Sequence, residues 1–125
     1  MFHGKIYVPI FECTVKVVIA PNDASMLRSI NYYLRKRKDE PWLTPPEAAF
    51  MVEHNDYTDS YILFFNKKNL TVNLINHEKS HVLEQILLDR QIRSTGEVRS
   101  YLDGWFSNKL TLMFRDNGFK PYGTL

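Results

Sequence analysis

"NLINHEKSHVLEQILLDR" (Asn73–Arg90) is the stretch whose reading decides the fold. Leu74, Ile75, Val82, Leu83, Ile86 and Leu87 recur at helical spacing and cover much of the circumference, which predicts a helix buried on most sides. Inside it stands His77-Glu78-Lys79-Ser80-His81, an HExxH pattern. Residues four apart on a helix share a face, one turn along. Two imidazoles so placed can close on one Zn²⁺ at about 2.0–2.1 Å per bond. Glu78, beside the first of them, would then act as general base on the metal's water. The plain alternative is a solvated helix face on which two of the chain's four histidines happen to sit. The apolar remainder of the helix favours the metal reading, with His77 and His81 projecting from the opposite flank into a cleft.

Working outward, "RQIRSTG" (90–96) reads as a turn, and a last long helix is predicted over Glu97 to Asp116. Its apolar stripe is Val98, Tyr101, Leu102, Trp105, Phe106, Leu110 and Met113. Upstream, Leu70 to Val72 reads as a short extended piece and Lys67-Lys68-Asn69 as a turn. "AAFMVEH" (48–54) and "SYILFFN" (60–66) read as strands joined by a hairpin-like "NDYTD". Residues 38–48 carry three prolines and can sustain neither a ladder nor a helix. Residues 22–37 predict a helix with Met26, Leu27, Ile30 and Leu34 on one face and Asn22 or Asp23 as cap. Residues 5–20 read as one or two strands, with Pro9 marking an edge or a break. The expected order is β-α-β-β-α-α, an α+β domain with helices packed on a small sheet. At 125 residues, without repeat, low-complexity tract or long linker, the chain is expected to be a single domain over 1–125.

A hydrophobic content of 44% excludes a disordered chain. A net charge of +2 with mixed signs argues against electrostatically driven nucleic-acid binding. The one basic run, Arg35-Lys36-Arg37-Lys38, reads as a solvated helix C-terminus, where cations suit the dipole. A single cysteine, Cys13, excludes an intrachain disulfide and is expected to be buried as a small hydrophobe. Lys5 and Pro9 interrupt the short N-terminal apolar run, so no signal peptide is expected. No stretch approaches the ~20 apolar residues of a transmembrane helix. Asn69-Leu70-Thr71 fits the glycosylation pattern and is read as coincidence.

Zinc catalysis usually takes three protein ligands and leaves a position for water. Glu84 shares the face of the histidines but sits about 10 Å along the axis from His77, too far for one ion. Asp89 is farther still. Glu97 opens the next helix and can fold back toward the pair. It also fits a capping box, Ser94-Thr95-Gly96-Glu97, and spacing leaves the two roles open. Tyr101, one turn on, could donate a hydrogen bond to a ligand or an oxyanion, or could be core with its hydroxyl at the rim. His3 and His54 are read as structural or solvent-exposed rather than as ligands.

"NLINHEKSHVLEQILLDRQI" followed by "GEVRSYLDGWF" resembles a family of small zincin-like metallopeptidase domains of bacteriophages and integrated phage elements. In that family the HExxH helix precedes a helix with an acidic-x-x-x-Tyr-Leu-x-Gly-Trp pattern, matched here by Glu97, Tyr101, Leu102, Gly104 and Trp105. The opening "KIYVPIFECTVKVVI" also looks like the first strand of these proteins. The resemblance implies a zincin-like α+β fold with Zn²⁺ held by His77, His81 and Glu97, as in minimal gluzincins. It implies Glu78 as base, and Tyr101, read above as able to donate a hydrogen bond at the site, is the other candidate catalytic residue. The implied activity is zinc-dependent hydrolysis of peptide or amide bonds, the metal polarising the carbonyl while Glu78 carries the proton to the leaving amine. Implied partners are a peptide or protein substrate and phage structural proteins, in the host cytoplasm or the virion; charge and hydropathy add the expectation of neither nucleic acid nor membrane. Two residues depart from the family pattern. Lys79 stands where zincin motifs carry a bulky apolar residue, and Asn76 where they disfavour Asn. Lys79 falls angularly among Ile75, Val82, Leu83 and Ile86, which predicts a snorkelling stem or a less buried helix. The other function expected from the family is therefore a zincin-shaped structural or assembly component with little or no turnover.

Overall fold

A computed structural model describes residues 1–53, 60–93 and 96–123. Strand β1 (Phe2–Val8) stops at Pro9, which has no N–H to donate, and a 3-10 turn follows over Pro9–Phe11. Glu12 takes a left-handed φ of 49°, and β2 (Cys13–Ala20) returns antiparallel to β1. The 5–20 segment is thus two strands, and the order is ββαββαα, one strand more than the expected β-α-β-β-α-α.

Helix α1 (Asp23–Lys36) is capped by the Asn22 side chain, which accepts from the Ser25 N–H at 2.8 Å. It buries Met26, Ile30 and Leu34, while Leu27 is half-buried. Strands β3 (Ala48–Val52) and β4 (Ser60–Asn66) pair antiparallel; the expected "NDYTD" connection lies outside the described residues. A 3-10 turn over Lys67–Asn69 leads to Thr71, whose hydroxyl accepts from the Leu74 N–H at 3.1 Å and starts α2 (Val72–Asp89). The extended piece expected at Leu70 to Val72 is a single bridge between Thr71 and Tyr122. Helix α3 (Glu97–Asp116) closes the fold.

The sheet runs β1-β2-β4-β3, with β2 and β4 parallel at its centre. Alternation sorts the side chains into two layers. Val15, Val17 and Ile19 with Tyr61, Leu63 and Phe65 face α2 and α3, whereas Val18, Ala20, Ile62 and Phe64 face α1. This two-sided burial explains why most of β4 and the second half of β2, Val17 to Ala20, read as continuous apolar runs. Gly4 of β1 makes room for α3, since a Cβ there would stand 2.8 Å from the Met113 methyl. Cys13 is buried, as expected. Among the described residues no helix is long and apolar enough to cross a membrane.

One ion pair reaches across β4. Lys16 Nζ lies 2.7 Å from Glu53 Oε1. Burial alone would raise the Glu53 carboxyl, but hydrogen bonds from Lys16 and Ser60 and the Lys16 charge outweigh it and hold the group below its ordinary value. A depressed folded-state value adds stability above the unfolded-state value and loses it as pH falls through the folded one. Lys16→Met is therefore expected to melt below the wild type at pH 7, with the gap closing once pH drops under about 4. A gap of equal size at pH 3 and pH 7 would show that the pair contributes nothing.

Candidate metal centre

Helix α2 sets its apolar residues against the sheet, burying Ile75, Val82, Leu83, Ile86 and Leu87. The opposite flank carries His77, His81, Glu84 and Leu88, all exposed. His77 and His81 lie on the solvent side of the helix rather than in the expected cleft. Their rings stand edge to face with Nε2 atoms 3.1 Å apart, so one ring N–H donates to the other ring nitrogen. Zn–N bonds of about 2.05 Å at the tetrahedral angle separate two nitrogens by about 3.3 Å. The separation of the pair is thus close to that of two zinc corners, and ligation would replace the ring-to-ring hydrogen bond by turning both lone pairs toward the ion. Glu78 is half-buried on an adjoining flank.

Lys79 is 7% exposed and points toward α3. Its ammonium lies 2.7 Å from Ser107 Oγ, 2.9 Å from Asp103 Oδ1 and 3.3 Å from Asn76 Oδ1. Ser107 and Asn76 accept hydrogen bonds from the ammonium, and Asp103 adds a charge contact. Nearby, Arg99 donates to Ser80 Oγ at 2.9 Å. Lys79 accordingly neither snorkels to an edge nor loosens the helix; it joins α2 to α3. Asn76, the other departure from the zincin pattern, is one of its acceptors. These contacts are not written in either helix alone, although the angular position of Lys79 marked it as unusual.

The same contacts fix which edge of α3 meets α2. Arg99, Asp103 and Ser107 lie toward α2, and Glu97, two residues before Arg99, falls about 200° round the helix. Glu97 is exposed and stands at the first position of α3, after Gly96 at φ 85°. A capping box needs the acid at the third position, so Glu97 forms none; Ser94 and Thr95 lie outside the described residues. Among the described residues no third His, Cys, Asp or Glu joins His77 and His81 in a group able to hold a metal ion. Glu97 is not brought to the pair.

Tyr101 is 76% exposed and lines an apolar groove of about 670 Å³ with Val8, Phe11, Val98, Leu102 and Trp105. Neither histidine lines that groove. Gly104 faces open space, while Leu102 is buried and Trp105 packs on the core. Asp89 accepts from the Tyr61 hydroxyl at 2.6 Å and from Gln85 at 2.8 Å. Burial and that carboxylate push the Tyr61 phenol up, against the opposing Arg90 guanidinium. His3 is exposed on β1, and His54 lies outside the described residues. No protein family, curated protein or solved structure matches this chain.

Proposed function

We propose that this is a zincin-like domain that takes up Zn²⁺ through His77 and His81. In this reading it serves as a structural or assembly component, of the phage kind its sequence resembles, rather than as an efficient hydrolase. The observation that carries this reading is the buried Lys79 bonded to Asp103 and Ser107. That contact holds one edge of α3 against α2 and leaves Glu97 on another edge. Uptake of zinc is supported by two Nε2 atoms 3.1 Å apart on one exposed turn. A bound ion there would supply Lewis acidity.

A second reading, zinc-dependent hydrolysis of peptide or amide bonds, is favoured by Glu78. Its carboxylate adjoins His77 and is suited to take a proton from an attacking water and return it to a leaving amine. Casein turnover by zinc-saturated protein, alongside calorimetric zinc titration, decides between the two. Wild type and Glu78→Gln are expected to bind zinc equally and to leave casein uncut, while His77→Ala loses zinc. Turnover in the wild type that disappears in Glu78→Gln would establish the hydrolase reading instead.

A further inference from the structure

We propose that His77 and His81 are one half of a zinc site whose other half comes from a second copy of this chain, one Zn²⁺ bridging two α2 helices across a two-fold axis. The inference rests on the zinc reading above and specifies its ligand set. Closed zinc sites are almost always four-coordinate and tetrahedral. Among the described residues this chain brings together two suitable nitrogens, 3.1 Å apart. Both rings stand on the exposed flank of α2, within reach of another molecule. A two-fold axis through the ion repeats the pair once, and two plus two imidazoles complete the tetrahedron.

The rest of the stripe suits the same neighbour. Glu84 follows His81 by three residues and Leu88 follows by seven, so all lie on one flank. Four neutral imidazoles leave the ion's double positive charge uncompensated, and one Glu84 carboxylate from each copy offsets it. Leu88 is 65% exposed despite its apolar side chain, and a helix packed along this flank covers it. A site completed by water on a single chain would leave Leu88 exposed.

Light scattering after size exclusion, with zinc chloride added to the full chain, tests the bridge. The mass is expected to double from 14.8 kDa, to saturate at one Zn²⁺ per two chains in a calorimetric titration, and to revert with EDTA. His77→Ala and His81→Ala are expected to stay monomeric at every zinc level, with unchanged circular dichroism. Glu97→Gln and His54→Ala are expected to dimerise as the wild type does. One Zn²⁺ per monomeric chain would overturn the bridge while leaving the zinc reading intact. Absence of zinc uptake would remove both. Loss of uptake in Glu97→Gln or His54→Ala would mean that the chain completes its own site, which also overturns the bridge.

Discussion

Lys79→Ala is expected to destabilise the fold by about 2–3 kcal/mol. The estimate starts from hydrogen bonds to a charged group, worth about 1.5–3 kcal/mol, and from the unsatisfied partners left by truncation, about 1–3 kcal/mol each. It is reduced because the Asp103 side chain is 46% exposed, so water screens part of the ion pair. For a chain of this length each kcal/mol moves the melting midpoint by about 4 °C, so a fall of roughly 8–12 °C is expected in calorimetry. Lys79→Leu keeps the apolar stem volume and is expected to cost less, about 1 kcal/mol. Because Lys79 points to α3 while His77 and His81 point to solvent, zinc affinity is expected to be the same in both variants. A midpoint unmoved in Lys79→Ala would mean that the contact with Asp103 and Ser107 does not hold α3 in place.

Phe106→Ala is expected to have the largest effect of any single truncation on α3. Phe106 is fully buried in the cluster formed by α2, α3 and the sheet. Emptying a site of this size costs about 3–5 kcal/mol, the lost transfer energy plus the cavity left behind. Against a typical total of about 5–15 kcal/mol, that is a large share of the stability. Urea unfolding is expected to show a much lower midpoint with an unchanged slope, because the surface exposed on unfolding stays the same. Below its transition the variant is expected to bind zinc normally, since both imidazoles belong to α2. A loss under about 1 kcal/mol would contradict the packing of α3 on the core.

Local features of the fold were legible in the sequence, and relations between distant segments were not. The Asn22 cap, the apolar face of α1 and both ends of α3 follow from residues within a turn or two of one another. Residues 5–20 leave the number of strands open because the reversal uses Glu12 in a left-handed conformation, where no glycine announces a turn. The parallel pairing of β2 with β4 has no local signature beyond two apolar runs. The site divides in the same way. Spacing alone joined His77 to His81. Placing Glu97 beside them required the rotation of α3 about its own axis, which Lys79, Asp103 and Ser107 set through space. The angular reading put Lys79 on the packed face without revealing the acceptors that make such burial tolerable.

The parallel pairing at the centre of the sheet also bears on how quickly the chain finds its fold. Val15 pairs with Tyr61 and Ile19 with Phe65, so the central ladder closes only after α1 and β3 have been looped out between its strands. Closing so long a loop has an entropic cost before any contact rewards it, and topologies rich in such pairings refold slowly. Helix α2 has no surface to dock on until that ladder forms. The two imidazoles, by contrast, are separated by a single helical turn, and an ion gripping them constrains almost no chain. Zinc should therefore leave the refolding rate nearly untouched.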